Sequence, residues 1–259
     1  MLFLMNCFVF IFGAAIGSFL NVCIFRLPAE TSIVKPRSQC RYCQHPIRNC
    51  DNIPLISFII LRGKCRDCGG KISWRYPLVE LITALLALLL FLKFGLTLSF
   101  LTFFIFTAVL IVITFIDLDH QIIPDILTLP GIPIFCLAAI FLLDKPWKIP
   151  WLESLLGLLI GGGILFTIAF VYELISKREG MGGGDIKLLA MIGGFLGWKS
   201  LMFVLFFSSF SGAIVGITAM IIKKQDMKYA VPFGPFLSVA AVAYLFWGDA
   251  FMRLLFLRN

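Results

Sequence analysis

Long apolar runs alternate with short polar breaks along almost the whole chain. The runs are Leu2–Phe25, Pro77–Leu92, Leu96–Ile116, Ile126–Leu143, Trp151–Ile175, Ile186–Leu196, Ser200–Ile222 and Pro232–Leu255. Several approach or exceed the roughly 20 residues with which a helix crosses a bilayer. The period-two alternation of a strand is missing, so helices rather than a barrel satisfy the backbone in lipid. The pattern predicts an all-α, polytopic membrane protein with about eight transmembrane helices. One sizeable polar stretch interrupts it, and the expected domains follow: 1–25 the first span, 26–76 a small cytoplasmic domain, and 77–259 a polytopic membrane domain. Neither an internal repeat nor a long linker is apparent.

Composition agrees with the pattern, since 60% of residues are hydrophobic and 14% charged, against roughly a quarter charged in soluble domains. The net charge of +8 points to cytoplasmic loops rather than nucleic acid, because the basic residues cluster between apolar runs. Ten of the 22 lie within 26–76, with only Glu30, Asp51 and Asp67 as acids. The positive-inside rule then puts that stretch in the cytoplasm and the N-terminus outside. Turns at Lys93, Asp144-Lys145-Pro146 and Trp198-Lys199 are expected outside; Asp117–Asp125, Ser176–Asp185 and Lys223–Lys228 are expected inside. No basic residue precedes the first run, so it reads as a span and not as a cleaved signal.

Of the eight cysteines, Cys7, Cys23 and Cys136 lie in apolar runs and read as small buried hydrophobes. Cys40-x-x-Cys43 and Cys65-x-x-Cys68 have the spacing of a four-thiolate zinc site. Redox pairs or disulfides are the alternatives, though a cytoplasmic setting disfavours disulfides. A closed set of four thiolates leaves no open position, so the zinc is structural. Arg41, Lys64 and Arg66 are expected to lower the thiol pKa values, Cys50 is a spare, and His45 is a substitute ligand.

Carboxylates at membrane depth mark function. Asp117-Leu118-Asp119-His120 closes one apolar run, and Gly180-Met181-Gly182-Gly183-Gly184-Asp185-Ile186-Lys187 opens another. Both lie on the expected cytoplasmic face. Asp117 and Asp119 are two apart and point oppositely on a helix, so one alone faces a cleft. Asp125 reads as a helix N-cap. Two carboxylates in one pocket suffice for aspartyl proteolysis: one takes a proton from water while the other gives one to the peptide carbonyl. Asp185, at a helix start, is the expected holder of the charge.

These residues resemble the type IV prepilin peptidases, bacterial GxGD-type aspartyl proteases of the inner membrane. The resemblance is carried by Gly17-Ser18-Phe19-Leu20-Asn21-Val22, Arg26-Leu27-Pro28, the paired cysteines, Asn52-Ile53-Pro54-Leu55 and Arg75-Tyr76-Pro77-Leu78-Val79-Glu80-Leu81. It continues through Ile116-Asp117-Leu118-Asp119-His120-Gln121, Pro124-Asp125, Glu179 to Leu189, and Pro232-Phe233-Gly234-Pro235. It implies that Asp117 and Asp185 form the catalytic pair, with Gly182, Gly184, Lys187 and Asp119 as supporting loop residues. It further implies cleavage of the basic leader of prepilins or pseudopilins at the cytoplasmic membrane face, then N-methylation with S-adenosylmethionine. Gly17, Asn21 and Glu80 are the expected surroundings of that methyl donor. The alternatives are a peptidase without methylation and, from another class, a proton- or cation-coupled transporter. The oligomeric state is not readable from the residues.

Overall fold

The computed structural model describes residues 2–176, 182–223 and 232–256. The described residues contain no extended strand, only two isolated bridges and helices. The long helices are α1 (Leu2–Arg26), α3 (Arg75–Phe94), α4 (Leu98–His120), α5 (Asp125–Phe141), α6 (Trp151–Ser176), α7 (Gly183–Leu196), α8 (Trp198–Lys223) and α9 (Gly234–Phe256); a five-residue helix, α2 (Ile56–Ile60), lies in the polar stretch. Each predicted run is therefore a helix. Six are long and apolar enough to cross a membrane: α1, α3, α4, α6, α8 and α9. With 17 residues in α5 and 14 in α7, these two fall short of a straight crossing of roughly 20. The count of eight crossings thus rests on the hydropathy pattern alone.

Contacts divide the chain into two compact units, Met1–Val112 and Ile113–Asn259. In the first, α1 packs on α3 through glycines. A Cβ at Gly13 would lie 2.7 Å from the Ala87 Cβ, and one at Gly17 would lie 2.7 Å from the Glu80 Cα. Their absence lets the two backbones approach closely, which is how helices without a hydrophobic driving force in lipid gain contact. Between these helices, residues 27–74 bury only Ser57. A segment with so little core needs a covalent or metal staple.

In the second unit α7 is the hub, with α5, α6, α8 and α9 packed around it. Leu188 to Leu196 are buried without a break, so α7 is apolar all round, as a central helix should be. Its tightest neighbour is α6. A side chain at Gly157 would run into the Gly193 carbonyl, and a Cβ at Gly161 would sit 2.6 Å from the Leu189 oxygen. The Ser154 hydroxyl donates to the Gly194 carbonyl at 2.6 Å. Gly157 makes the closest contact of all, whereas Gly163 faces open space.

Three sequence expectations change. Asp117 to His120, expected as a turn, complete the last turn of α4, which stops at Gln121 in the left-handed region (φ 53). Asp125 is not an N-cap: Pro124 holds that position without a side-chain bond, and the Asp125 carboxylate instead receives Lys187 Nζ at 2.6 Å. An internal repeat exists as well, described with the cysteines below. Glu179, Gly180, Met181 and the turn 224–231 lie outside the described residues.

Candidate active site and metal centre

Asp117 and Asp185 meet in the second unit. Asp117 sits in the last turn of α4 and is 5% exposed. Asp185 is the third residue of α7, after the N-cap Gly182, and lies close enough to Asp117 for the two charges to repel. Like charges so placed cannot both ionise easily, so the pair holds a proton as a unit.

Their partners differ. Asp117 Oδ2 accepts the backbone N–H of Gly234, the first residue of α9, at 3.0 Å. Asp185 Oδ1 is buried and has no hydrogen-bond partner among the described residues. The donor thus serves Asp117, opposite to the expectation that Asp185 holds the charge. A Cβ on Gly234 would stand 2.6 Å from that same Oδ2 and 3.0 Å from Ile123 Cδ1. A Cβ on Gly184 would stand 2.7 Å from the Ile123 Cβ. Ile123 therefore fills the space between the two helix starts beside the carboxyl pair, and both glycines are required by their surroundings.

Asp119 and His120 are exposed at the end of α4, with Asp119 on the other side from Asp117. Lys187 stands in the first turns of α7 and ties α7 to α5 through Asp125. Gly182 caps α7, and among the described residues no atom lies within 4 Å of where its Cβ would stand. Gly234 and Ile123 carry no expected role in the sequence reading. The signal for Gly234 was a glycine between Phe233 and Pro235 at a helix start.

In the first unit the Sγ atoms of Cys40, Cys43, Cys65 and Cys68 lie within 4.8 Å of one another. Each pair is held by the same backbone device. Cys40 N–H donates to the His45 carbonyl and Gln44 N–H to the Cys40 carbonyl. Cys65 N–H donates to Gly70 and Gly69 N–H to Cys65. Gln44 (φ 56) and Gly69 (φ 70) take the left-handed turn at matching places, and matching bridges join Gln39 to Pro46 and Lys64 to Lys71. The two knuckles are thus a structural repeat that a reading of the whole chain misses because it is so short.

The thiols share protons unevenly. N–H groups of Cys43 and Tyr42 pull Cys40 down to about 6. The Gly70 N–H pulls Cys68 down too, but lost hydration and the thiols of Cys43, Cys40 and Cys65 push it up to about 12. Backbone donors, not the basic side chains expected to do so, lower Cys40. Arg41 instead stacks on Phe25 and Tyr76, 4.2 and 5.6 Å from the ring centres. Arg66 grips Asp51 with bonds of 2.6 and 2.8 Å, which holds the Asp51 carboxyl below its usual range. Four thiols converging on one point suit a tetrahedral thiophilic dication, and ligation would release the protons they now share. Cys50 and His45 stand outside this cluster.

Gly17, Asn21 and Glu80 also come together, where α1 meets α3. Asn21 Nδ2 donates to the Gly17 and Tyr76 carbonyls at 3.3 and 3.1 Å. A cavity of about 1240 Å³ opens beside them, lined by Asn21, Glu80, Tyr76, Pro54 and the first knuckle. That is ample for a small-molecule ligand, whose sites run roughly 300–1,000 Å³. Gly17 packs behind this cavity rather than lining it.

The chain matches the family model of the bacterial peptidase A24 N-terminal domain over residues 11–94. It matches that of the type IV leader peptidase family over residues 104–217. Similar proteins include three named prepilin leader peptidase/N-methyltransferase. That of Aeromonas hydrophila is 39% identical, the match covering 95% of this chain and 91% of the relative. That of Pseudomonas putida is 34% identical, covering 92% and 89%. That of Neisseria gonorrhoeae is 37% identical, covering 89% and 86%. No solved structure matches the chain.

Proposed function

This chain belongs to the type IV leader peptidase family, and on that premise we propose a bifunctional enzyme of the bacterial inner membrane. It removes the basic leader from prepilins or pseudopilins and then methylates the new N-terminus with S-adenosylmethionine. The observation that carries the peptidase reading is the meeting of Asp117 and Asp185, with a backbone N–H on Asp117 Oδ2 and, among the described residues, no hydrogen-bond partner on Asp185 Oδ1.

In the mechanism, Asp117 is the ionised partner, because the Gly234 N–H and the start of α9 favour negative charge there. It takes a proton from water as the water attacks the scissile carbonyl. Asp185 is the protonated partner and donates to the carbonyl oxygen. Collapse of the tetrahedral species then breaks the C–N bond as the amine gains a proton from Asp117 and a hydroxyl of the diol returns one to Asp185. Lys187 bound to Asp125 steadies the start of α7, and so the position of Asp185. Gly184 leaves room for Ile123 beside the pair, and Gly182 at the N-cap of α7 allows a close backbone approach there. Asp119 lies outside this chemistry and faces solvent.

The four cysteines hold zinc as a structural staple for residues 26–76. S-adenosylmethionine supplies an electrophilic methyl group, and the cavity beside Asn21 and Glu80 is its place. We place residues 26–76 and the start of α7 on the cytoplasmic side, with eight crossings and both termini outside. The transporter reading gains nothing from the relatives, all three of which are named as enzymes.

The test is intact mass and N-terminal fragmentation of a prepilin incubated with purified enzyme and S-adenosylmethionine. Leader loss plus one methyl group is expected for the wild type, and uncut substrate for Asp117→Ala and Asp185→Ala. Cleavage that survives either variant sinks the pair. A cut but unmethylated wild-type product leaves a peptidase alone.

A further inference from the structure

Glu80 is a buried carboxylate with no counter-ion among the described residues. It is 8% exposed, near the start of α3, and lines the cavity of the first unit. Its Oε2 accepts the Leu55 N–H at 2.8 Å, and the carboxylate also bonds the Ser18 side chain. The two other acids lining the cavity, Asp51 and Asp67, each have an arginine, Arg66 and Arg48. Among the described residues no cation pairs with Glu80. The arginines nearby are otherwise engaged: Arg26 donates to the Ser32 and Pro36 carbonyls, and Arg41 stacks on Phe25 and Tyr76.

The partner loop is strained. Leu55 adopts φ 62 and ψ −50, and Ile56 N–H reaches back to the Pro54 carbonyl at 2.6 Å. This is a three-residue turn of the disfavoured hand, rare for a residue with a side chain. Backbone strain of this kind persists where surrounding structure holds it, and it clusters at ligand clamps. Here the Leu55 N–H on Glu80 is that hold. The turn needs only an acceptor, which an amide oxygen supplies as well as a carboxylate. Packing therefore explains an acceptor at this place but leaves the buried charge unexplained, and a buried charge is costly unless something pairs with it.

We propose that Glu80 supplies the anionic contact for a cationic centre in the cavity's ligand, with the Pro54-Leu55-Ile56 turn holding the carboxylate in place. Resting on the methyl-transfer reading, this has two possible sources of the cation. One is the sulfonium or ammonium of S-adenosylmethionine, and the other is the α-ammonium of the processed chain. The chemistry at Glu80 is the same for both: an onium group in contact with a desolvated carboxylate.

The test uses full-length enzyme and pilin supplied already processed, so that leader cleavage is not a step in the assay. Wild type, Glu80→Gln and Glu80→Ala are compared by methylation kinetics and by equilibrium binding of S-adenosylmethionine. Gln keeps an acceptor for Leu55 and removes only the charge. The expected result is that Gln loses roughly ten- to a hundredfold in kcat/KM, nearly as much as Ala, since a charged partner adds that much to a hydrogen bond. A rise in the KM and Kd of S-adenosylmethionine assigns the cation to the donor, and a rise in the KM of processed pilin alone assigns it to the amine. A Gln variant equal to wild type beside a crippled Ala variant overturns the proposal, because Glu80 would then only brace the turn. A wild type that neither methylates nor binds S-adenosylmethionine overturns the methyltransferase reading and this inference together.

Discussion

Gly234 shows how much a single missing side chain decides. Its N–H holds Asp117, and a Cβ there would press on the same carboxylate oxygen from 2.6 Å. Gly234→Ala is therefore expected to displace the carboxylate, and a shift of that order costs up to about a hundredfold in rate. Prepilin cleavage kinetics on membranes with equal enzyme content check this, and a normal kcat would show that Asp117 tolerates the shift. Asp51 gives a second expectation. Its carboxyl lies below the ordinary value because Arg66 bonds it, so its contribution to stability is present above about pH 4 and lost as pH falls through the lowered folded value. The gap in thermal midpoint between wild type and Asp51→Asn should be open at pH 7 and narrow progressively as pH falls below about 4. A gap that stays constant would mean that the ion pair is not its source. Both residues stood in the quoted motifs or in the charge count, yet nothing in the string paired Gly234 with Asp117, 117 positions away, or Asp51 with Arg66.

Among the elements, the α6–α7 pair carries the strictest packing. Because the Gly157 and Gly193 backbones touch, Gly157→Ala should destabilise the protein by about 1–3 kcal/mol or more, the cost of forcing a methyl into a filled contact. Lower folded yield and thermal midpoint in detergent are the readouts; Gly163→Ala, which meets open space, should be close to neutral. The knuckle pair is the other demanding element. One zinc per chain is expected by metal analysis, absent in Cys65→Ser, and a chelator that strips the metal should make residues 26–76 sensitive to protease. A metal-free preparation with the same protease pattern would refute the staple. The C-x-x-C spacing made this element legible in advance, since thiolate ligation leaves a local signature. The glycine contacts were legible only in part, because Gly157 and Gly163 look alike until α7 is laid beside them.

For the molecule as a whole, topology is the open expectation. With eight crossings, a cysteine placed at Lys145 reacts with an impermeant thiol reagent from outside, and one at Lys35 only from the cytoplasm. Cytoplasmic labelling at Lys145 would mean that α5, with 17 residues, does not cross. The hydropathy pattern by itself determined the helices, their order and their class, because apolar runs in lipid must bond their own backbone. The C-x-x-C spacing determined the cysteine set, and the short motifs around Asp117 and Asp185 pointed to the pair and to the family. Tertiary structure alone decided the rest: that α7 is the buried hub, that α4 runs on through Asp117, that α9 lends Asp117 its donor, and that Lys187 takes Asp125 from the capping role. Each of those depends on two segments far apart in the chain meeting at one point. A string records which groups are available, whereas only packing settles which of them share a hydrogen bond, a charge or a wall.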